Sequence, residues 1–531
     1  MMSAICKQRV FLNRGLSSIC SLNAMPKRSF SDVEFKEGSN SGSCEMNEVM
    51  SSTITKDEEY DIAIVGGGMV GLALACRLSS MPLTKELSVA IIDSNPALKS
   101  RVHFKKDEVP HPRVSTLTPA TISFFKEVGA WEYIEQHRHA YFDQMQVWDY
   151  SGLGYTRYHA RDVGKEYLGC VVENMVLCDA LLSCLQENMD FQKAIHNARL
   201  ASLKFPSQFR STITSKEQVQ PMGDSSRVAS SGNTIEPTHN GSSVKLCLSN
   251  GKNLYAKLVV GADGAKSHVR EMAGLKTTGW NYPQNAVICT VEHSVENHCA
   301  WQRFLPSGPI ALLPIGDKFS NIVWTMTPEE SSTHKSMTRD AFVEAVNYAL
   351  DYGYSSHPQS SFLDEFVHRI SSLSGYGTAS MAEHFQVPLK VTDLVSERMT
   401  FPLSLRHALE YASKRVVLVG DAAHVVHPLA GQGVNLGFGD AAALSEVIDE
   451  GLRVGADIGE LSLLKRYERE RQAANLTMMA VLDGFQKAYL MDFAPLNFLR
   501  AVAFHGAQFI TPLKRNIVSY AMGEQKWPLF T

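Results

Sequence analysis

The chain has 531 residues, of which 44% are hydrophobic and 20% charged, and its formal net charge at pH 7 is -4. Because this length exceeds what one hydrophobic core usually serves, we expect two or three domains. The mildly acidic balance argues against a nucleic-acid-binding protein. The 10 cysteines contain no C-x-x-C pair, which excludes the commonest zinc and dithiol redox motifs.

The first 31 residues form a basic segment without an acidic residue. Its cations, separated by serines and apolar residues, are Lys7, Arg9, Arg14, Lys27 and Arg28. This composition is typical of a mitochondrial or plastid transit peptide, with a disordered basic tail as the alternative. Residues 32–58 are polar and acidic and predict a disordered linker. No stretch of the sequence reaches the roughly 18 uninterrupted apolar residues that a membrane-spanning helix needs.

A glycine-rich turn follows the first predicted strand. The apolar run Ile62–Val65 predicts a buried parallel strand, and the small apolar residues after the turn predict a helix. Gly66, Gly68 and Gly71 lie between them in the spacing of a dinucleotide-binding turn. In such a turn the first glycine permits the bend, the second lets the backbone approach a pyrophosphate, and the third lets helix and strand pack closely.

A second strand supports the same interpretation. The predicted strand Ser88–Ile92 is apolar from Val89 onward and ends at Asp93, 22 residues after Gly71. A carboxylate at this position is suited to bind the hydroxyl groups of a ribose. The alternative is a glycine turn in some other α/β protein, but the strand, helix, second strand and acid together favour a dinucleotide site.

The chain from residue 113 to residue 275 predicts mixed secondary structure. We expect a helix ending at Gly129, strands within 142–158 and another helix over Asn174–Glu187. Residues 205–243 are rich in Ser, Thr, Gly and Asn and predict an inserted, mobile loop. The strand Leu258–Val260 then runs into a turn that contains Asp263.

Residues from 279 to about 400 are rich in aromatic and β-branched residues and predict a sheet, inserted as a second domain. A third buried strand, Arg415–Val419, ends in Gly420 and Asp421. We expect a long helix from Gly439 and a mostly helical tail after it. An apolar face in this tail suits either packing on a domain or a helix on a membrane surface.

The segment after Asp421 contains two histidines and a Gly-x-Gly pair. His424 and His427 are three residues apart, but no third ligand is near them in the sequence, so no metal site is predicted. Gly431 and Gly433 precede a helix, whose N–H groups and dipole suit the anionic edge of a reduced flavin. Glycine permits a close approach of the backbone to such a ring.

The three turns, in this order, resemble the FAD-dependent aromatic hydroxylases of the para-hydroxybenzoate hydroxylase type. The turns are Gly66–Gly71, Gly-Ala-Asp-Gly at 261–264 and Gly-Asp-Ala-Ala-His at 420–424. The segment 427–437 is similar to the ubiquinone-biosynthesis hydroxylases within that group, and the transit peptide points to their mitochondrial ring C5 hydroxylases. The resemblance covers about residues 60–437.

The resemblance implies an α/β fold: an FAD-binding Rossmann-like domain, an inserted mixed β-sheet substrate domain and a helical C-terminal tail. The predicted division gives 1–31 to the transit peptide, 32–58 to the linker, 60–138, 165–275 and 401–450 to the FAD-binding domain, 139–164 and 276–400 to the substrate domain, and 451–531 to the C-terminal helical region.

The resemblance also implies which residues form the site. Those expected to bind FAD are Gly66, Gly68, Gly71, Asp93, Arg113, Asp263, Gly420, Asp421, Gly431, Gln432, Gly433 and Asn435. Those expected near the substrate are Pro314, Phe401, Arg406 and Pro428, although ordinary sheet packing also explains Pro314 and Phe401. No acid–base triad is visible, and no catalytic residue or metal ligand is assigned.

The reaction implied is ring hydroxylation of a polyprenylated phenol by O2 through a flavin C4a-hydroperoxide, with the flavin supplying the chemistry. The electron donor implied is a ferredoxin with its reductase, or NAD(P)H directly. The expected location is the matrix side of the mitochondrial inner membrane, as a peripheral protein among other ubiquinone-biosynthesis enzymes. Two alternatives are another FAD reaction on the same fold and a catalytically silent, FAD-stabilised subunit of a lipid-biosynthetic complex.

Overall fold

The computed structural model describes residues 58–99, 108–152, 155–206, 243–354, 357, 385–490 and 511–523. The predicted transit peptide, nearly all of the predicted linker and all but the edges of the predicted insertion 205–243 lie outside these ranges. In the described part no helix is both long and apolar enough to cross a bilayer.

The described residues form strands and helices that we number in chain order. The strands are β1 (Glu58–Val65), β2 (Val89–Ile92), β3 (Val114–Leu117), β4 (His139–Phe142), β5 (Gln144–Asp149), β6 (Tyr155–His159), β7 (Gly169–Glu173), β8 (Lys193–His196), β9 (Leu200–Lys204), β10 (Val244–Leu248), β11 (Asn253–Gly261), β12 (Thr277–His293), β13 (Cys299–Leu305), β14 (Gly308–Gly316), β15 (Phe319–Met326), β16 (Val391–Leu394), β17 (Met399–Ala408), β18 (Ala412–Ser413), β19 (Val416–Leu418) and β20 (His424–Val425). The helices are α1 (Met69–Ser80), α2 (Pro119–Glu127), α3 (Trp131–Glu135), α4 (Asn174–Glu187), α5 (His268–Met272), α6 (Pro328–Ser336), α7 (Arg339–Asn347), α8 (Gly433–Arg453), α9 (Leu461–Leu490) and α10 (Thr511–Ala521).

The first sheet is built on five parallel strands in the order β19-β11-β1-β2-β8. Strands β18, β10 and β9 extend it with antiparallel pairs. The runs Ile62–Val65 and Val89–Ile92 are buried, and helix α1 packs against α4 and α8. Parallel strands bring their carboxyl ends to one edge of a sheet, which is where α/β proteins bind ligands.

The second sheet has nine strands, with β20-β17-β12-β15-β14-β13-β5-β6 in order and β16 beside β12. We call its two sides the outer face and the inner face. The outer face buries Trp301 and Trp324 against Phe342 of α7. The inner face buries Val147 and Phe304 against α8 and α9. Because strand residues alternate between the two faces, this division fixes which residues can approach the first sheet.

A small antiparallel sheet, β3-β7-β4, joins the two larger sheets. Its residues Phe142 and Val171 pack with Ala300 and Ile315 of the second sheet. Strand β3 leads directly into α2, which packs on α8. The small sheet therefore places the start of α2 beside the start of α8. The division of the chain into domains stays a prediction.

Helix α8 differs from the sequence prediction, because it begins at Gly433 rather than at Gly439. Glycines weaken a helix interior, so the sequence pattern indicates a later start. The structure gives the reason for two of them. A Cβ on Gly437 would lie 2.6 Å from a methyl carbon of Val70, and one on Gly439 would lie 2.8 Å from the guanidinium of Arg471. These glycines permit close packing of α1 and α9 against α8.

The C-terminal helices pack on the body of the protein. Met478 and Leu482 of α9 are buried with Val147 and Phe304 on the inner face. In α10, Lys514 is only 4% exposed, and its ammonium lies 2.6 Å from Asp162. Of the two alternatives for the tail, packing on a domain or lying on a membrane surface, its described residues therefore show packing on a domain.

Replacing Asp162 with asparagine is expected to loosen α10. The change removes the charge that compensates a buried ammonium, while an asparagine oxygen retains the cap that Asp162 gives the His159 amide. Because Asp162 is partly exposed, we expect a loss of about 1–3 kcal/mol. Limited proteolysis after α9 measures it, with faster cleavage in the variant.

The matched control combines the Asp162 change with Lys514→Met, which replaces the buried ammonium with an apolar chain of similar length. Cleavage is expected to return to near the wild-type rate. Equal cleavage of wild type and the single variant would contradict the role given to this ion pair.

Candidate functional site

The first turn depends on two glycines that the protein itself requires. Gly66 follows β1 with φ +111°, and a Cβ there would lie 2.3 Å from the carbonyl oxygen of Ala262. A Cβ on Gly71 would lie 2.0 Å from the carbonyl oxygen of Gly66. Gly68 is different, because a Cβ there would meet no atom within 4 Å. The space in front of Gly68 is therefore open.

Asp93 lies at the carboxyl end of β2, beside the first turn. One carboxylate oxygen accepts a hydrogen bond of 2.7 Å from the amide of Gly67, and the other accepts one of 2.8 Å from the amide of Asn95. Asp93 thus holds the glycine turn in shape. The binding of a ribose by this carboxylate stays a prediction.

The second turn contains Asp263, which caps α5. One oxygen of its carboxylate accepts hydrogen bonds from the amides of His268 at 2.7 Å and Val269 at 3.1 Å. Arg270, on the same helix, donates a 2.7 Å hydrogen bond to the carbonyl oxygen of Ala422. The second turn is therefore tied to the third.

The third turn follows β19. Gly420 has φ +58°, and a Cβ there would lie 3.2 Å from Val70 in the first turn. The side chain of the next residue, Asp421, is exposed. Surrounding protein atoms nevertheless desolvate its carboxyl and raise its pKa, against the opposing effect of His424. An exposed carboxyl with this environment indicates a cleft.

Three stretches of chain thus meet at one edge of the first sheet. Gly66 contacts Ala262 of the second stretch, and Val70 contacts Gly420 and Gly437 of the third. The sequence predicted these turns separately, and the structure brings them together. Their convergence forms the candidate cofactor site.

Sequence reasoning missed the buried network that holds the third turn. Asp440 of α8 is 0% exposed, and one of its oxygens accepts a 2.9 Å hydrogen bond from the amide of Gly420 and lies 2.6 Å from Nε2 of His424. The other oxygen accepts hydrogen bonds from Arg471 at 2.8 Å and Asn475 at 3.2 Å. Burial alone would raise the pKa of Asp440, but His424 and Arg471 lower it to about 2. The only sequence signal was an acid within an apolar helix.

The segment before α8 is held by side-chain hydrogen bonds. Gly431 has φ +61°, and the side chain of Gln432 donates a 3.3 Å hydrogen bond to the carbonyl oxygen of Ala521 in α10. The amide group of Asn435 donates to the carbonyl oxygens of Thr116 and Gly431 and accepts from the Thr118 amide and the Thr121 hydroxyl.

Asn435 therefore uses its hydrogen-bonding groups to join α8 to the β3–α2 connection. Any effect of Asn435 on a bound flavin would act through the position of the backbone. Arg113 lies just before β3 with an exposed side chain, and its carbonyl oxygen accepts a 3.0 Å hydrogen bond from the Asn174 amide. The contact of these residues with a cofactor stays a prediction.

The four predicted substrate residues do not form one cluster. Pro314 is buried on β14. It is two residues after Leu312, so it lies on the same side of the strand, which is the outer face. Phe401 is 38% exposed and alternates with Leu403 and Leu405 of the inner face. Arg406 points the other way and donates a 2.8 Å hydrogen bond to Asn281. Phe401 therefore lies on the inner face and Arg406 on the opposite side of β17, and substrate contact stays a prediction for all four residues.

The site fits FAD on the chemistry of its backbone. Helices α1 and α8 both begin at glycine turns, without an acidic residue in the first turn and without a side-chain cap. Their first N–H groups therefore remain available to an anion. The open space at Gly68 is where a pyrophosphate would approach α1. In the described part of the chain, no three His, Cys, Asp or Glu side chains gather into a metal site.

Comparison with known proteins agrees with this geometry. A family model described as an FAD binding domain matches residues 59–358 and 379–481. The chain is 35% identical over 471 residues to the mitochondrial ubiquinone biosynthesis monooxygenase COQ6 of Xenopus tropicalis, covering 87% of this chain and 93% of that protein. The human protein of that name is 34% identical, with coverages of 88% and 94%, and the Drosophila melanogaster protein 30% identical, with coverages of 99% and 100%.

Solved structures show the same fold at lower identity. The p-nitrophenol 4-monooxygenase PnpA of Pseudomonas putida has a TM-score of 0.58 at 17% identity, with coverages of 88% of this chain and 99% of that protein. PqsL, a probable FAD-dependent monooxygenase of Pseudomonas aeruginosa, has a TM-score of 0.56 at 18% identity, with coverages of 82% and 97%. The predicted α/β fold with FAD as cofactor is confirmed.

Proposed function

The chain belongs to the FAD-binding family that includes the mitochondrial ubiquinone biosynthesis monooxygenases COQ6, and we propose that it hydroxylates the aromatic ring of a polyprenylated phenol in that pathway. The enzyme is an FAD-dependent monooxygenase that uses O2. Ring carbon 5, the position implied by the sequence resemblance, is part of the proposal.

The observation that carries this proposal is the meeting of the three turns. Gly66 lies against Ala262 and Val70 lies against Gly420, although the two members of each pair are far apart in sequence. Such a meeting point at the carboxyl edge of a parallel sheet is where α/β proteins hold dinucleotides. When bound, FAD supplies the activation of oxygen, which no protein side chain performs.

The chain's own residues supply binding and a dry environment. The amides of α1 would hold the pyrophosphate, and those of α8 would face the flavin end. Beside them lies an apolar region between the turn before α8, the inner face and α9. Its buried members include Val147, Phe304, Leu403, Leu429, Leu436 and Met478. Apolar walls suit a prenyl chain and exclude water from the reacting ring.

Isotopic labelling tests the reaction. The purified holoenzyme, supplied with reductant and a 2-prenylated phenol under ¹⁸O2, is expected to place one labelled oxygen on the ring of the product. A hydroxylated product without the label would contradict a monooxygenase, and reduction of the prenyl chain instead would favour a different FAD reaction.

The electron donor and location complete the proposal. We propose a ferredoxin with its reductase as the donor, with NAD(P)H as the alternative, and a peripheral position on the matrix side of the mitochondrial inner membrane beside other enzymes of the pathway. Support comes from the basic N-terminal segment and the mitochondrial relatives. Mixing the holoenzyme anaerobically with NADPH, and separately with reduced ferredoxin, tests the donor by bleaching of the flavin absorbance.

A further inference from the structure

His427 is a buried histidine without a hydrogen-bonding partner. Its side chain is 0% exposed, and neither Nδ1 nor Nε2 has a partner among the described residues. Buried polar atoms in native proteins nearly always have a hydrogen-bond partner, so a buried imidazole in which both nitrogens lack one requires an explanation. Leaving such groups unpaired costs stability, whereas an apolar side chain of similar size would avoid that cost.

The position of His427 links it to the candidate site. It lies between β20 and the Pro428–Ala430 turn, four residues before Gly431. Its ring packs edge-to-face on Tyr282 of β12, with centroids 5.1 Å apart and planes at 85°. Tyr282 belongs to the inner face, together with Leu403, and to the cluster that includes Met479 of α9. His427 thus lies where the apolar region meets the segment that precedes α8.

The neighbouring polar groups are already engaged elsewhere. The Tyr282 hydroxyl donates a 2.9 Å hydrogen bond to Asp483, and Asp483 forms an ion pair of 2.6 Å with Lys487. Neither group is therefore placed to satisfy the imidazole. A ligand that reaches the apolar region would meet His427 as an unpaired polar group among apolar neighbours.

We propose that the imidazole of His427 is a catalytic residue that hydrogen-bonds the phenolic hydroxyl of the aromatic substrate and thereby orients its ring. This inference rests on the proposed function. Burial lowers the pKa of His427 to about 4, so the ring is neutral at pH 7 and accepts the hydrogen bond without taking the proton. Since the ring is enclosed here, the substrate has to displace a neighbour, and the unbranched Met479 is suited to move.

A pair of ligands that differ only in the hydroxyl tests this contact. Oxidised holoenzyme is titrated with 2-geranylphenol and with its methyl ether, and binding is followed by the change in flavin absorbance. The wild type is expected to bind the phenol about tenfold more tightly, since one hydrogen bond is lost in the ether. In His427→Leu that preference is expected to fall to about one, with FAD content retained and thermal stability equal or higher.

Controls separate this role from a general effect on packing. His293 is another buried imidazole with an unpaired Nε2, and it lies near the β16 end of β12. His293→Gln is expected to keep the wild-type preference. If His427→Leu loses FAD, His427→Gln replaces it as the test, and its preference has to fall at least about threefold because the amide is displaced from the imidazole position.

The outcomes distinguish the two levels of inference. Loss of the phenol preference in the His427 variants alone supports the contact. An unchanged preference in them overturns it and leaves the proposed function standing. Wild-type protein that binds FAD but neither ligand contradicts the substrate class of the proposed function, and with it the role of His427.

Discussion

Replacing Gly68 with aspartate is expected to remove FAD from the protein while its fold is retained. A side chain at Gly68 meets no protein atom within 4 Å, so the change introduces no clash of its own. It does place a carboxylate at the start of α1, where a pyrophosphate would bind, and the two anions repel. We expect the dissociation constant for FAD to rise at least about tenfold, equivalent to about 1.4 kcal/mol. Flavin absorbance per protein and the melting temperature of the FAD-free protein measure the two effects.

Gly71→Ala is the matched control for this prediction. Its Cβ would lie 2.0 Å from the carbonyl oxygen of Gly66, so the backbone has to shift and stability is lost by about 1–3 kcal/mol. FAD content and stability should therefore both fall in Gly71→Ala, whereas in Gly68→Asp FAD content should fall and the stability of the FAD-free protein should be retained. Full flavin occupancy in Gly68→Asp would show that the first turn does not bind the cofactor.

The contrast between these two glycines also shows what the sequence could predict. Each turn is a local pattern of strand, glycine and helix, so its existence could be predicted from neighbouring residues. The separate reasons for Gly68 and Gly71 follow from the same pattern. The contacts that join Val70 to Gly420 and Gly437 depend on how distant segments pack, and the sequence could indicate them only through a family resemblance.

The misplaced start of α8 has a physical cause of the same kind. The sequence pattern predicts too late a start for α8 because Gly437 and Gly439 look like helix breakers, whereas each makes room for a neighbour from another element. Substrate contact of Pro314 stays a prediction, and the sequence alone could not say on which side of β14 it lies. It alternates with Leu312, which packs with α7 on the outer face. Strand alternation divides residues between two faces and does not say which face meets the cofactor.

Asp440 is the clearest case of a residue that no local pattern reveals, and its removal is expected to have the largest effect on stability. Asp440→Asn presents an amide group to donors that all require an acceptor, namely the Gly420 amide, His424 and Arg471. Breaking a buried ion pair by changing one partner costs about 3–5 kcal/mol. Urea unfolding at pH 7 measures this loss, and FAD binding should weaken as well, because Gly420 loses its acceptor.

The pH dependence gives an independent check with a defined sign. The pKa of Asp440 is lowered to about 2 in the folded protein, from an ordinary value of 3.8. The unfolded chain therefore binds more protons between these values, so this contribution to stability is present above about pH 4 and is lost as the pH falls toward 2. In Asp440→Asn the free energy of unfolding should no longer show this decrease between about pH 4 and pH 2.

Asp449, nine residues further along α8, is the matched control. It is only 2% exposed, yet its ion-pair partner Arg453 is 64% exposed. Asp449→Asn leaves no cation buried, so its cost should stay at about 1 kcal/mol or less. If both variants lose equal stability, the loss comes from changing a buried acid on α8 in general and not from the network around Asp440. A much larger loss in Asp440→Asn, accompanied by weaker FAD binding, would instead show that the third turn is held from within the helix that follows it.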